Sequence, residues 1–301
     1  MSAEIVAQRI VTFRDVIEDR HLVTVSVGPV LEPLILSMRQ ELEYRRFEGG
    51  ASFAKSMADR LNEFRVHYCV EGCWYFIDLD PTRQNYHLIQ PLGTDEWLLV
   101  RARASSNDDE NAHVYGFDGR IRRSFPAGDG ISDVQVTQDS QVWVGFFYEG
   151  VYGGFDFGHS GLVCLDAHGK KVFDFMVTSA EAGPISDCYA LNVCSNHDTW
   201  LHYYTDFPLV KLTNRRLGEW WKELPISGSP AFAVGRARNV LFAGGYHDRG
   251  ALLEIQLPEM TARRVEPMDE SGNRIENFVS FGRSHGLFLR TEEALYRVDC
   301  S

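Results

Sequence analysis

Two acidic residues and one amide recur at matching places in three similar segments of the chain. Asp133 and Asp187 each end an Ile-Ser-Asp triplet, and Asn277 ends the related triplet Ile-Glu-Asn. If each triplet opens an equivalent strand, the three side chains lie at the same end of the fold. Carboxylate and amide oxygens are the ligands that Ca²⁺ takes in proteins. The pattern predicts a divalent-cation site, such as one for Ca²⁺, held by these three residues, and leaves any other cofactor unknown.

The same carboxylates could act without a metal ion. Two like charges held close together raise the pKa of one partner, which suits that group to general acid or base catalysis. His247 supplies an imidazole, so the candidate catalytic residues are Asp133, Asp187 and His247. Aspartate in a loop is also a common hydrogen-bond partner of the nearby backbone. Metal binding, catalysis and a purely structural role therefore stay open, and the sequence does not decide whether the chain is an enzyme.

Three segments, at residues 148–159, 202–208 and 244–250, mix aromatic residues and glycines with acids and histidines. Aromatic rings offer flat apolar area, while carboxylates and imidazoles form directed hydrogen bonds, and a concave surface needs both to bind a ligand. The alternative is that these loops only pack against one another. The candidate ligand-binding residues come from these segments and one further loop: Glu149, Tyr152, His202, Tyr204, Asp206, Tyr246, Asp248, Arg249 and Arg101.

A repeat organises these segments. Strand-like runs begin near residues 86, 131, 185, 230 and 275, at separations of 45, 54, 45 and 45 residues. The period beginning at residue 131 holds four short runs rich in β-branched and aromatic residues, with turn-forming residues between them. A period near 45 residues is typical of a four-stranded propeller blade. Two stacked β-sandwiches are the alternative, but sandwiches do not usually show such a period.

Six blades account for nearly the whole chain. After residue 275 only three strands fit, so the strand Ile10–Phe13 is expected to complete the last blade. This closure would pin both chain ends and remove open sheet edges. The predicted fold class is all-β: a six-bladed β-propeller of four-stranded blades, with the N-terminal strand closing the last blade, forming a single domain over residues 1–301.

The first blade carries an insertion at residues 39–64. A partial apolar stripe predicts that this insertion is helical, although the pair Gly49 and Gly50 interrupts it. The stripe consists of Leu42, Phe53, Met57 and Leu61. A helix here would lie on the same face as the aromatic loops.

The repeat also resembles known families. The segment 131–136 reads Ile-Ser-Asp-Val-Gln-Val and is followed by Val-Trp-Val-Gly at 142–145, then by Gly161-Leu162 and Asp166. This pattern resembles the repeats of two-component-regulator sensor propellers and, more loosely, NHL and gluconolactonase-like propellers. The resemblance to gluconolactonase-like propellers implies a central metal ion, and the resemblance to sensor propellers implies an interaction platform.

Composition restricts the partners. The formal net charge is −12, which repels nucleic acid backbones and anionic membranes, so neither is an expected partner. The N-terminus lacks the features of a secretory signal, and no apolar run approaches the roughly 18 residues of a membrane span. None of the six cysteines forms a C-x-x-C pair. These features predict a soluble cytoplasmic protein with reduced thiols.

Two functions remain in competition. The first is the binding of a small molecule, such as a carbohydrate or lactone, at the loop-rich face, with metal-assisted hydrolysis or isomerisation as its catalytic form. The second is a non-catalytic platform that binds a protein partner or serves as a sensor, with exposed aromatic residues as its anchors. The partner is therefore expected to be a small molecule or a protein.

Overall fold

Short apolar runs separated by turn residues form strands almost throughout the chain. The computed structural model describes residues 3–46, 52–175, 182–236, 238–257 and 259–301. Six sheets, each with four consecutive antiparallel strands, follow one another in sequence, and the fold class is that of a six-bladed β-propeller, as predicted. The chain divides into two compact units, one of residues 16–174 and one of residues 1–15 with 175–301, and each contains three blades.

The unit of residues 16–174 contains blades one to three. The strands of blade one are His21–Val27, Pro33–Met38, Phe64–Val70 and Cys73–Asp78. The strands of blade two are Leu88–Leu92, Glu96–Val100, Ala112–Gly116 and Ile121–Phe125. The strands of blade three are Ile131–Val136, Val142–Phe146, Leu162–Leu165 and Lys171–Asp174. Neighbouring strands pair in chain order within each blade.

The other unit contains blades four to six. The strands of blade four are Asp187–Val193, Asp198–Tyr204, Leu209–Thr213 and Arg216–Trp221. The strands of blade five are Phe232–Val234, Asn239–Ala243, Leu252–Gln256 and Thr261–Met268. The strands of blade six are Val279–Arg283, Gly286–Arg290, Ala294–Asp299 and Gln8–Thr12. The short helices of the described chain are Arg14–Ile17, Tyr148–Tyr152 and the 3₁₀ turn Gly158–Ser160.

The N-terminal closure is confirmed. Gln8–Thr12 pairs antiparallel with Ala294–Asp299, so the first and last parts of the chain share blade six. A second N-terminal strand was not expected from the sequence. Ala3–Val6 adds in parallel to the outer strand of blade five, with Ala3 opposite Val265, and gives that sheet a fifth strand. The N-terminal segment therefore covers the edges of two successive blades, which protects their unpaired backbone groups.

The core is divided among the spaces between successive blades. One cluster joins blades two and three around Val114 and Val144, and another joins blades five and six around Leu241 and Leu287. A sheet between two others is buried on both faces, so its central strands are apolar without alternation. Asn239–Ala243 in blade five, which packs on blades four and six of the same unit, shows this directly, because all five of its residues are buried.

The insertion in blade one is extended, and the prediction of a helix was wrong. Tyr44–Arg46 pairs with Ser52–Ala54, and Met57–Asn62 pairs with Thr82–Gln84. Met57 and Leu61, two members of the expected apolar stripe, are exposed. Pairing with a distant strand supplies the backbone hydrogen bonds that a helix would have made internally, so tertiary structure overrides the weak helical pattern. Gly49 and Gly50 lie outside the described residues.

Two further properties concern the whole described chain. Within the described ranges, no helix is long and apolar enough to cross a membrane. All six cysteines fall in those ranges, and no disulfide joins any of them.

The loops leave each blade at two opposite ends. In blade three Ile131 pairs with Phe146, and in blade four Asp187 pairs with Tyr204, so the start of the first strand lies beside the end of the second. The loop that enters a blade and the loop that joins its second and third strands therefore emerge together. We call this the loop-rich end of a blade, and it carries the long aromatic segments.

Candidate functional site

A pocket of about 390 Å³ opens at the loop-rich ends of blades four to six. Its volume falls near the lower limit of ligand pockets in proteins, which hold roughly 300–1,000 Å³. Its wall combines aromatic rings, glycine backbone and one charged side chain: Tyr189, Tyr246, Gly244, Gly245, Phe278 and Arg249. This composition, mostly apolar with few polar groups, is that of a small-molecule site.

Three aromatic rings form a packed cluster at this wall, and two of them, Tyr189 and Tyr246, line the pocket. The rings of Tyr189, Phe207 and Tyr246, here called the aromatic triad, lie 5.1, 5.7 and 6.0 Å apart between centroids. Each pair is almost perpendicular, at 84–90°. Edge-to-face pairs of this kind each contribute about 0.5–1.5 kcal/mol beyond the burial of their area. The hydroxyl groups of Tyr189 and Tyr246 also share a hydrogen bond. The triad is therefore held in place before any ligand arrives.

A β-bulge turns Tyr189 toward the pocket. Cys188 pairs with Tyr203 and Ala190 pairs with His202, so Tyr189 is an extra residue with no partner in the ladder. A bulge of this type bends the strand and re-aims the side chain of the extra residue. The tyrosine is consequently directed toward Tyr246 rather than held to the regular alternation of the strand.

Tyr246 depends on a glycine for its place. Gly228 has a φ of +71°, which favours glycine, and a Cβ atom there would lie 2.5 Å from two carbon atoms of the Tyr246 ring. The backbone N–H of Tyr246 donates to the carbonyl of Ser227 at 3.0 Å. The loop that enters blade five and the loop that carries Tyr246 are thus joined by both a hydrogen bond and a close contact. Any side chain at position 228 would displace the ring.

The Tyr189 phenol stays neutral at physiological pH. Burial, followed by the hydrogen bond and charge of Tyr246, raises the pKa of Tyr189 well above its usual range. One hydroxyl proton joins the two tyrosines, and the hydroxyl that accepts this bond keeps its own proton for another acceptor. The tyrosine pair can therefore donate one hydrogen bond into the pocket.

His202 supports the triad from below and does not reach the pocket. Its side chain is 0% exposed and lies between Phe207 and Phe242, at centroid distances of 5.4 and 5.3 Å. Its Nδ1 atom lies 3.2 Å from the Pro208 carbonyl, and burial lowers the pKa of His202 to about 4. A neutral imidazole packed among aromatic rings is a core residue. His202 is thus fully buried in the structure, and its contact with a ligand stays a prediction.

Three other predicted ligand residues lie at the pocket or beside it. Tyr246 and Arg249 line the wall. Tyr204 is exposed, and its ring lies 5.6 Å from that of Phe207, so it extends the aromatic surface beyond the triad. The structure thus brings Tyr204 and Tyr246 together around Phe207, a residue that sequence reasoning did not select, and places Arg249 in the same wall as Tyr246.

The remaining candidates of this unit lie outside the wall. Asp206 and His247 are exposed side chains of the loops on either side. Asp248 is half-buried, and its Oδ1 atom lies 3.9 Å from Nη1 of Arg264, on the outer strand of blade five. These three residues therefore surround the pocket without lining it, and a ligand would have to extend beyond the wall to contact them.

The predicted cation ligands lie at loop-rich ends. Asp187 begins the first strand of blade four, and Asp133 is the third residue of the first strand of blade three. Gln135 donates a hydrogen bond to Asp133 at 3.1 Å. Asn277 is exposed and has a φ of +53°, in the turn before blade six. In the described part of the chain, no three His, Cys, Asp or Glu side chains form a group that could hold a metal ion. The cation site at Asp133, Asp187 and Asn277 thus stays a prediction.

In the other unit, Arg103 organises the loop of blade three. Its Nε atom lies 3.1 Å from Oδ1 of Asp129, and its Nη1 atom donates to Glu149. Gly130 and Gly150 touch so closely that a Cβ atom on Gly130 would lie 2.4 Å from the backbone nitrogen of Gly150. Glu149, a predicted ligand residue, is thus part of an ion-pair network that holds this loop.

The helix of this loop presents two tyrosines to solvent. Tyr148 and Tyr152 are 57% and 60% exposed, and their ring centroids lie 4.7 Å apart. Tyr152, another predicted ligand residue, therefore belongs to an exposed aromatic pair. Tyr152 does not line the cavity of blade one, which lies in the same unit.

Arg101 is buried in an ion pair, and its role in ligand binding stays a prediction. Its side chain is 2% exposed, and its Nη2 atom lies 2.5 Å from Oδ1 of Asp109. Burial alone would raise the pKa of Asp109, but hydrogen bonds from Arg101 and Ser105 outweigh this effect and lower it. The buried pair ties together the two ends of the loop between the second and third strands of blade two.

A second cavity, of about 240 Å³, lies at the loop-rich end of blade one. Three arginines line it, but two of them already have acidic partners. Arg39 lies 2.9 Å from Glu63, and Arg65 forms two hydrogen bonds to Asp78 at 2.6 and 2.8 Å. The positive charge of the arginines in this cavity is therefore largely neutralised within the protein. The charge of Arg249 in the aromatic pocket is not.

Comparison with known families gives a partial match. The sequence model of the YxzG family matches residues 162–298, somewhat less than half of the 301 residues. The match runs from the third strand of blade three into the third strand of blade six. No curated protein matches this chain significantly.

Solved structures resemble the chain at low identity. A virginiamycin B lyase from Staphylococcus aureus, solved with quinupristin, has 10% identity and a TM-score of 0.48, covering 94% of this chain and 96% of its own. YCF48 bound to the D1 peptide has 14% identity and a TM-score of 0.48, covering 100% and 94%. A gluconolactonase from Xanthomonas campestris has 10% identity and a TM-score of 0.43, covering 94% and 95%. A gluconolactonase is thus among the similar structures, as the sequence predicted, and identities this low transfer no function.

Proposed function

We propose that this chain binds a small molecule in the aromatic pocket of blades four to six. The observation that carries the proposal is the pocket of about 390 Å³ whose wall joins the tyrosine pair to Arg249. A packed and hydrogen-bonded wall loses little conformational entropy when a ligand binds, which favours affinity. Loops that served only to cover the core would need neither a pocket nor a hydrogen-bonded wall.

The chemistry of the wall favours a ligand with a flat apolar face and several polar substituents. The tyrosine rings provide the apolar surface, and the spare hydroxyl proton and the glycine backbone provide directed hydrogen bonds. Carbohydrates and their lactones combine both properties. The volume suits a ligand about as large as one or two sugar rings.

Binding is better supported than catalysis. The residues that line the pocket, all within the described ranges, include no carboxylate and no imidazole, the commonest general acids and bases. Catalysis by one of these groups would require Asp187 or His247 to act from outside the wall. Metal-assisted hydrolysis or isomerisation therefore stays a secondary proposal, and it requires bound Ca²⁺ or a similar ion at the predicted aspartates.

A protein-binding platform is the second candidate. The observation that favours it is the exposed pair Tyr148 and Tyr152 in blade three, because aromatic residues are common anchors of protein interfaces. Substituting both tyrosines by alanine should abolish capture of a partner and leave small-molecule binding intact. Unchanged capture by the double variant would remove this candidate.

A ligand screen with two matched variants tests the main proposal. Thermal unfolding of the wild type, Tyr246→Ala and Tyr152→Ala is followed with a panel of sugars, sugar acids and lactones. Both tyrosines are about half exposed or more, at 46% and 60%, but only Tyr246 lines the pocket. We expect at least one compound to raise the unfolding midpoint of the wild type and of Tyr152→Ala but not that of Tyr246→Ala. If every hit acts equally on all three proteins, the pocket is not the binding site.

A calcium titration tests the cation proposal separately. We expect Ca²⁺ to raise the midpoint of the wild type but not that of Asp133→Asn or Asp187→Asn. A midpoint independent of Ca²⁺ in the wild type would leave these aspartates with structural roles.

A further inference from the structure

We infer that the pocket selects an anionic ligand, a ring compound that bears a carboxylate, and that Arg249 is the residue that selects it. This inference rests on the proposed function of the same pocket and names the class of compound that it takes. It follows from three observations: the state of Arg249, the absence of acids from the wall, and the hydrogen-bond donors around it.

Arg249 has no acidic partner among the described residues. Its side chain is exposed at the pocket wall, and no ion pair or hydrogen bond engages its guanidinium. Nearby arginines behave differently. Arg263 pairs with Glu254, and Arg264 lies 3.2 Å from Glu266. Blade five therefore neutralises the cations of its outer strand but leaves the one at the pocket available to a ligand.

The wall contains no opposing charge. The chain has 42 acidic and only 30 basic residues, yet every residue that lines the pocket is neutral except Arg249. The pocket is thus a positive site on a protein of negative net charge. Partial enclosure by apolar rings lowers the local dielectric constant and strengthens the attraction between a cation and an incoming anion.

The geometry of arginine specifies the kind of anion. A guanidinium presents parallel N–H groups that match the two oxygens of a carboxylate. The tyrosine pair adds one hydroxyl donor, and the Ser280 side chain, also in the wall, adds a second. Donors therefore outnumber acceptors among the side chains of the wall, and the aromatic triad offers a surface for the ring that carries the carboxylate.

Acids outside the wall oppose the anion: Asp206 and Asp248 surround the pocket, and Asp187 is also near it. Asp187 lies outside the wall but close enough to contribute to the raised pKa of Tyr189. Its negative charge should weaken anion binding by repulsion, which is largest at low ionic strength. Asp187→Asn should therefore tighten the binding of an acid and leave a neutral analogue unaffected. This expectation is opposite in direction to the loss of Ca²⁺ binding that the cation proposal predicts for the same variant.

The test uses two probes of equal shape and different charge, glucuronate and glucuronamide, measured by titration calorimetry. A hydrogen bond to a charged group is stronger than one to a neutral group, so the wild type should bind the acid at least about tenfold more tightly than the amide. Arg249→Gln should reduce this ratio to about one by weakening the binding of the acid much more than that of the amide, and Arg249→Lys should restore part of it. Arg236→Gln, which changes an exposed arginine in the turn between the first two strands of blade five, is the matched control.

The outcomes separate the inference from the function on which it rests. Equal affinities of the wild type for acid and amide, or a ratio that Arg249→Gln does not change, would overturn the inference. If only neutral compounds bind, and Tyr246→Ala abolishes their binding, the pocket is a ligand site but not an anion site. If Tyr246→Ala changes the binding of no compound, both the inference and the proposed function fail.

Discussion

Replacing His202 by phenylalanine should remove a specific part of the acid sensitivity of this protein. The imidazole is fully buried between two phenylalanines, and burial lowers its pKa from 6.5 to about 4. In the unfolded chain the same group takes up a proton near pH 6.5. The neutral form therefore stabilises the native state fully above pH 6.5, and this contribution is lost as the pH falls toward 4.

The size of the effect follows from the difference between the two pKa values. One pKa unit corresponds to 1.36 kcal/mol, so lowering the pKa of His202 from 6.5 to about 4 contributes about 3 kcal/mol to the free energy of unfolding at neutral pH. Three other histidines have pKa values lowered to about 4 by burial and add to the loss in the same direction: His67, His87 and His113. The contribution of His202 must therefore be obtained by difference.

Urea denaturation of the wild type and His202→Phe between pH 7 and pH 4 measures this difference. Phenylalanine is close in shape to histidine and does not titrate. The free energy of unfolding of the variant should therefore fall less steeply as the pH decreases. Across this range we expect the free energy of unfolding of the wild type to fall by about 3 kcal/mol more than that of His202→Phe. His247→Phe, at an exposed position, is the control and should follow the wild type.

Parallel pH profiles for the wild type and His202→Phe would refute the argument, because they would mean that His202 is protonated equally in the native and unfolded states. If His202→Phe fails to fold, His202→Gln serves the same purpose, since it also removes the titrating group. Because Phe207 rests on His202, acid should also disturb the aromatic triad, and ligand binding should weaken over the same pH range in the wild type but not in the phenylalanine variant.

Other perturbations test the remaining parts of the structure. Asp109→Asn should cost about 3 kcal/mol in urea denaturation, because it leaves the buried Arg101 without its charge partner; a loss below about 1 kcal/mol would show that the pair is not needed. Gly130→Ala should cost more than about 3 kcal/mol, from a positive φ and a backbone clash, whereas Gly154→Ala, with a positive φ but open space, should cost only about 1–2 kcal/mol. Equal costs would contradict the close contact. Cys73 should react with a thiol reagent at once, and early reaction of the buried cysteines would contradict their burial: Cys164, Cys188 and Cys300.

Much of the fold was predictable because propeller blades are built locally. Each blade uses consecutive strands joined by short turns, so the repeat in the sequence maps directly onto the repeat in space. The closing strand was predictable by counting, since blade six lacked one strand and the N-terminal run could supply it. The position of the aromatic loops at one end of each blade followed from the same strand order.

The details that make the candidate site depend on contacts between residues far apart in sequence. Tyr189 sits inside an ordinary strand sequence, and only the bulge directs it to the pocket. His202 and Arg101 look like binding residues as residue types, but one lies beneath Phe207 and the other is engaged by Asp109. Burial and pairing belong to the folded chain, so residue type alone could not reveal them.

The sequence by itself determined the number of blades, their strands and the loops in which chemistry can occur, because periodic patterns of apolar and turn-forming residues act over short distances. Only the tertiary structure decided which polar residues remain available to a ligand. Arg249 and Arg101 are the same residue type in equivalent loops, yet the first has no acidic partner among the described residues and the second is buried against Asp109. The difference arises from which acid the fold brings within reach of each guanidinium, and that is a property of three-dimensional packing.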